Sequence, residues 1–317
     1  MKNKLKVNLI AGIVIVSTLL TACNGGNNSS SNGNSVNSAD SDTLYGLSYD
    51  PVTSSVFSTN ENGVLCRISA KNIPDNMVCN LVAPNNIHLA SQLKDDNKGT
   101  IYALGVQAKT GDNFLLKYHT EKNTWNTVAI DLPFSLSFNK LELYSGNLYL
   151  TDKNDSALYT INLVTNKVES VPDFVVPGNG ELMAINNSTG AVLYTVQEAV
   201  ESNFQTTILS QTYSKLLSST ASTQWSKYGP GDRNINDSNY VNDTIYACAE
   251  SDFVYDYHPT GSTDNFSWKI LKNGSQPGYF SCDYLASNGN DLLYYVEGKW
   301  TSNEKFNNKY VSSVKIK

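Results

Sequence analysis

The chain has 317 residues, with 23 Lys+Arg against 29 Asp+Glu and a formal charge of −6. An acidic surface gains nothing from a phosphate backbone, so nucleic acid is not expected as a partner. Nineteen Tyr, abundant Asn, Ser and Thr, and only 16% charged residues fit an exported β protein better than a helical cytosolic enzyme.

The chain opens on Lys2, Lys4 and Lys6, followed by an apolar run from Val7 to Leu20. That run falls short of the roughly 20 apolar residues a membrane-spanning helix needs. With its charged start and the small residues that follow, it has the layout of a secretory signal. Leu20-Thr21-Ala22-Cys23 resembles the lipobox of bacterial lipoproteins. The resemblance implies a signal peptide over residues 1–22 and cleavage before Cys23. Diacylglycerol would sit on the Cys23 sulfur and a further acyl chain, of the palmitate type, on the new amino group. One chain binds a membrane marginally, but each buried methylene adds about 0.8 kcal/mol, so two or three chains hold the protein there. The expected location is the cell envelope, and the outer membrane in a Gram-negative cell, because Asn24 stands where inner-membrane lipoproteins carry Asp. Loss of the three lysines takes the charge from −6 to about −9. Residues 23–42 are almost entirely Gly, Asn and Ser. Such a segment cannot bury enough apolar surface to order itself. It reads as a flexible tether spanning roughly 24 Å.

Residues 43–317 show no long 3.6-residue apolar period, but a motif recurs. A β-branched or Leu residue followed by an aromatic appears as Val56-Phe57, Ile101-Tyr102, Leu148-Tyr149, Leu193-Tyr194, Ile245-Tyr246 and Leu293-Tyr294. The aromatics are 45, 47, 45, 52 and 48 residues apart. Repeats of this length signal propeller blades of four strands each. One alternating strand precedes each motif, as at Lys140 to Tyr144 or Glu181 to Ile185. A third follows, as at Leu115 to Tyr118 or Leu158 to Ile161, and a fourth often carries Trp (Trp125, Trp225, Trp268). Six copies fit, the last ending after its third strand. The expected fold is therefore all-β, a single six-bladed β-propeller over residues 43–317, with a pair of β-sandwiches as the alternative. The second copy, Thr100-Ile101-Tyr102-Ala103-Leu104-Gly105, then Leu116-Lys117-Tyr118, Asn123-Thr124-Trp125 and Leu132-Pro133, resembles a kelch repeat. It departs from the family at the usual Gly-Gly, where it has Gly105-Val106.

Four cysteines remain beside Cys23: Cys66, Cys79, Cys248 and Cys282. In an exported chain they are expected as two disulfides. Three connectivities exist, and Cys66–Cys79 with Cys248–Cys282 is preferred, being close in the chain or on adjacent repeats. Zinc is the alternative, but no CxxC or paired His supports it.

Chemistry is thinly signalled. His88, His119 and His258 fall at unrelated repeat positions, no G-x-S-x-G elbow appears, and no catalytic residue is assigned. Asp232, Asn234, Asn236, Ser238 and Asp243 occupy positions 1, 3, 5, 7 and 12 of a calcium-type oxygen loop. Position 6 is Asp237 where that loop wants Gly, and an Asx-rich inter-blade loop is the other reading. Calcium aside, no cofactor is expected. Asp95-Asp96 and Asp152-Asn154-Asp155 read as hairpin turns, while Glu142, Glu181 and Asp283 are the acids that inner strands could aim into a central channel. Two functions follow. One is a tethered propeller that binds or assembles with a protein or glycan. The other is a propeller hydrolase or lactonase, which requires carboxylates meeting in the channel.

Overall fold

Strand-forming residues in short alternating runs, punctuated by Gly, Asn and Asp, fold locally into antiparallel meanders because each turn returns the chain beside itself. The computed structural model describes residues 43–73, 77–152, 157–175, 180–202, 205–219, 225–227, 235–249, 252–257, 267–272, 281–300 and 306–316. Among them are six sheets, five of them meanders in chain order. The first comprises β1 (Leu44–Asp50), β2 (Ser55–Asn60), β3 (Leu65–Ser69) and β4 (Val78–Leu81). In the second, β5 (Ile87–Leu89) and β6 (Lys94–Asp95) both pair with β7 (Thr100–Gln107), followed by β8 (Asn113–His119) and β9 (Thr124–Ile130). The third is β10 (Glu142–Tyr144), β11 (Asn147–Thr151), β12 (Ala157–Asn162) and β13 (Val168–Val175). The fourth is β14 (Glu181–Ile185), β15 (Ala191–Ser202), β16 (Gln205–Leu216) and β17 (Ser226–Lys227). The fifth is β18 (Ile235–Val241), β19 (Thr244–Ala249), β20 (Asp252–Tyr257) and β21 (Ser267–Lys272). The sixth has three strands, β22 (Ser281–Ser287), β23 (Leu292–Trp300) and β24 (Phe306–Lys315).

Burial peaks at the second strand of a sheet and falls toward the outer edge. Every residue of β2 is buried, whereas β4 alternates exposed and half-buried positions and β9 is exposed or half-buried until its last residue, Ile130. A second strand is covered on both faces only if a neighbouring sheet lies on each side. Six apolar clusters supply that cover, one at each junction between sheets. Phe57, Ile101 and Tyr118 join the first sheet to the second, and Leu104, Leu148 and Tyr159 the second to the third. Tyr149 and Leu182 join the third to the fourth, Leu193 and Ile245 the fourth to the fifth, and Tyr246 and Leu293 the fifth to the sixth. The last cluster packs Leu44 and Val56 against Ala286, Tyr294 and Val311, so the sixth sheet meets the first and the ring closes. The fold is a β-propeller, as the repeat predicts. These residues belong to one unit, Ala39–Lys317. Residues 1–42, on which the expected signal peptide, the lipidated Cys23 and the tether fall, lie outside the described residues.

One repeat is out of step with the motif. In five sheets the motif aromatic is the third residue of the second strand and faces the following sheet. In the fourth sheet β15 starts at Ala191, so Leu193 takes that place and Tyr194 faces backward, into the cluster with Tyr149 and Leu158. A one-residue slip along a strand turns a side chain to the opposite face. Tyr194 is fully buried there, and its hydroxyl accepts the Gly180 N–H at 2.9 Å. A Cβ on Gly180 would lie 1.9 Å from the Thr195 carbonyl oxygen. Gly180→Ala is therefore expected to lose about 2–3 kcal/mol, the upper part of the overpacking range, read from urea unfolding.

Both disulfides form with the preferred pairing. Cys66 on β3 faces Cys79 on β4 directly, with Cα atoms 3.9 Å apart. Cys248 on β19 is joined to Cys282 on β22, with Cα atoms 5.1 Å apart, linking the fifth blade to the sixth.

Candidate functional site

The first strands of the blades line the axis, and four charged side chains meet there. Lys94 lies on β6, Glu142 on β10 with Lys140 two residues before it, and Asp237 on β18. The Lys94 ammonium donates to Glu142 Oε2 at 2.7 Å, and Lys140 lies 3.8 Å from Glu142 Oε1. Lys140 also donates to Asp237 Oδ1 and to the Ser238 carbonyl. The remaining capacity of Asp237 is met by backbone: Oδ2 accepts Leu285 N–H and Oδ1 accepts Ser238 N–H, each at 2.8 Å. The side chains of Lys140, Glu142 and Asp237 are 9%, 5% and 2% exposed. Charges this far from water persist only when paired and hydrogen-bonded. The cluster spans the second, third, fifth and sixth blades and forms a neutral floor across the channel. Burial lifts the Asp237 carboxyl above the ordinary carboxylate range, and Lys140 with the two N–H donors opposes this only in part. Burial pulls Lys94 down, but Glu142, Asp95 and Asp237 together leave it above the usual lysine value.

Above this floor lies a cavity of about 420 Å³. It is walled by the early residues of the inner strands, including Tyr45, Glu181, Asn236 and Tyr284. A much smaller space on the other side of the floor is walled by later residues of the same strands, such as Ser48, Asn239 and Ser287. Four inner strands carry an irregular register at the cavity end, between Tyr45 and Ser48, Leu182 and Ala184, Ile235 and Asp237, and Cys282 and Leu285. A bulge adds one residue and re-aims its neighbours. Here it lets the consecutive residues Asn236 and Asp237, and Asp283 and Tyr284, all reach the cavity.

The aromatic wall is held by a strap. Phe138 N–H donates to the Ala90 carbonyl at 2.8 Å, Gln92 N–H to the Asn139 carbonyl at 2.9 Å, and Ser137 N–H to Asn139 Oδ1 at 2.8 Å. Phe138 is thereby fixed at φ 48°, in the left-handed region that a bulky residue enters only at a cost. Its ring stacks on Tyr45 with centroids 4.3 Å apart, and Tyr284 meets Tyr45 edge-on at 6.4 Å. Burial and the nearby Asp283, Asp237 and Glu181 push the Tyr284 phenol well above its ordinary value.

Of the residues singled out by sequence, Glu142 lies in the floor and Glu181 and Asp283 line the cavity. Sequence reasoning missed Lys94, Lys140, Asp237 and the aromatic wall. The one available signal was Asp237 itself, the misfit in the calcium pattern. In that pattern Asp232 and Asn234 lie outside the described residues, and the other three do not form a loop. Asn236 and Ser238 sit on β18, which is extended, and Asp243 is in the hairpin turn after it. Asn236 donates to the Cys282 carbonyl at 2.9 Å and Ser238 to the Met183 carbonyl at 3.2 Å, while Asp243 accepts from Asn186 at 3.1 Å. Among the described residues no group of three or more His, Cys, Asp or Glu could hold a metal ion. His88 bonds the Asn62 carbonyl at 2.8 Å between the first two blades, His119 ends β8, and His258 lies outside the described residues.

Asp95 and Asp96 do make a turn, accepting the N–H groups of Asn97 and Lys98 at 2.6 and 2.8 Å. Burial raises the Asp95 carboxyl to about 6. The folded state then holds a proton that the unfolded chain releases near pH 4, so Asp95 lowers stability as pH rises from about 4 through 6. Asp95→Asn is expected to remove that fall. The variant should be about 1–2 kcal/mol more stable than wild type at pH 7 and equal to it at pH 4, a figure reduced for partial exposure. Urea midpoints across this range check it.

The fold and cavity define a closed β-propeller with a blind, aromatic-walled pocket at one end of its channel. The sequence matches no protein-family model and no curated protein sequence. In structure the chain is similar to YjhT, with a TM-score of 0.58 at 11% identity over 86% of this chain and 95% of that one. It is similar to a putative gluconolactonase, with a TM-score of 0.57 at 11% identity over 87% of this chain and 89% of that one. A chain of a nidogen/laminin complex gives 0.54 at 10% identity over 81% and 95%. At these identities the likeness shows the fold alone.

Proposed function

We propose that this chain is a lipid-anchored envelope protein whose propeller binds a protein or glycan through the cavity at the channel mouth. The observation that carries the reading is the pairing of an aromatic-walled cavity with a floor whose charges neutralise one another. A hydrolase needs a carboxylate ready to take or give a proton. Glu142 and Asp237, the buried acids of the channel, instead each hold a lysine. Stacked aromatics beside amides and carboxylates suit recognition, because they offer apolar faces and directional polar groups together. The Leu20 to Cys23 tetrapeptide supports the anchor.

Two experiments test the proposal. Residues 43–317 are immobilised against envelope extract beside the same domain carrying Tyr284→Ala. A partner retained by the first and lost by the second supports the reading, and equal recovery on both overturns it. For the anchor, the full chain should fractionate with membranes and yield an acylated N-terminal peptide at Cys23. Cys23→Ser should release it, and an unmodified Cys23 would dismiss the lipid.

A further inference from the structure

Resting on the binding reading above, we infer that the cavity holds a neutral sugar, the terminal unit of a glycan. Three observations converge. The first is a hydroxyl without a partner. Thr195, on β15 in the cavity wall, is 6% exposed, and among the described residues its Oγ1 has no hydrogen-bond partner. A buried hydroxyl in that state costs free energy unless a molecule entering the cavity meets it, and a sugar hydroxyl can both give and take the bond. The second is the aromatic wall. Tyr45, Phe138 and Tyr284 are half-buried in it, and each ring of the stacked Tyr45–Phe138 pair keeps one face clear of the other ring. A pyranose carries C–H bonds on its faces and hydroxyls round its edge. Its C–H side is apolar and faintly positive, so it matches the negative face of an aromatic ring. Gln92 and Asn236 bring amides to the same wall for the hydroxyl edge.

The third is the state of the charges. Lys140, the only Lys or Arg among the described lining residues, is taken up by Asp237 and Glu142. Glu181 and Asp283 have partners of their own. An ionic ligand would compete with these pairings, whereas a neutral one leaves them in place. Size and shape agree. A space of about 420 Å³ lies within the range of small-molecule pockets, and the charged floor closes it below. A chain end can enter, but a glycan strand cannot thread through.

The test uses full-length protein in micelles of a detergent without a sugar headgroup. The probes are the methyl glycosides of glucose, galactose, mannose and N-acetylglucosamine, with sorbitol and methyl glucuronide as controls. Sorbitol has the hydroxyls without a ring face, and the glucuronide adds a negative charge. Calorimetry should show at least one neutral glycoside binding about tenfold or more tightly than either control. Salt should leave that affinity unchanged. Thr195→Val keeps the side-chain shape and removes the hydroxyl. It should weaken that glycoside about tenfold, the worth of one hydrogen bond, without lowering the melting temperature. A purely structural residue would not give that combination. Phe138→Gly, which removes a ring at a backbone angle glycine adopts freely, should abolish binding. Binding by none of the glycosides, equal binding of the controls, or unchanged affinity in Thr195→Val overturns the inference. If Phe138→Gly fails to fold, Thr195→Val and the controls decide. Should no glycoside bind while Tyr284→Ala still loses an envelope partner, the sugar falls and the binding reading stands.

Discussion

Lys140→Met is expected to destabilise the protein by about 3–5 kcal/mol, the cost of leaving a buried carboxylate without its counter-charge. Asp237 would retain two backbone N–H donors but no cation, at 2% exposure. Glu142 would keep Lys94. The deficit should depend on pH with a definite sign. An acid whose folded pKa is raised lowers stability as pH climbs from its unfolded value through its folded one. The penalty on Lys140→Met should thus be smallest near pH 4 and grow toward pH 7. Adding Asp237→Asn to Lys140→Met should recover part of the loss, because the amide leaves no orphaned charge and its oxygen can still accept one of the two buried N–H groups. Urea unfolding of the single and double variants at both pH values checks this. A double variant no more stable than the single would mean that the pair does not act as a unit.

Replacing Cys248 and Cys282 together by Ala is expected to cost about 4 kcal/mol, the chain-entropy value for a loop set by their separation of 34 residues. Replacing Cys66 and Cys79, separated by 13, should cost about 3 kcal/mol. The two should differ more sharply at the cavity. Cys282 is followed directly by Asp283, Tyr284 and Leu285, which supply the cavity wall and the N–H that holds Asp237. The first pair lies on β3 and β4, away from the axis. Loss of Cys248–Cys282 should weaken ligand capture as well as lower the melting temperature, whereas loss of Cys66–Cys79 should only lower it. Scanning calorimetry alongside the pull-down separates the outcomes.

The blades were legible because each second strand is covered on both faces. A strand such as Thr100–Gln107 needs apolar residues at nearly every position, so its motif recurs at blade length. The fourth repeat misled for the same reason. Leu193 and Tyr194 are both apolar enough for either face, and only the pairing of β14 with β15 assigns them. The site was poorly legible. Lys140 and Asp237 lie 97 residues apart, and a lysine among polar neighbours reads as a solvated one. Bulges hid the rest, since they break the alternation by which inward-facing residues are counted.

Alone, the sequence determined the all-β class, the blade repeat and the preferred cysteine pairs, since these depend on local alternation, turn chemistry and nearness in the chain. Tertiary structure decided what the axis contains. Closing the ring brings first strands from distant repeats within contact, and the low-dielectric space between them turns scattered charges into a paired floor. The cavity above that floor is a property of the closed ring, and no single blade encodes it.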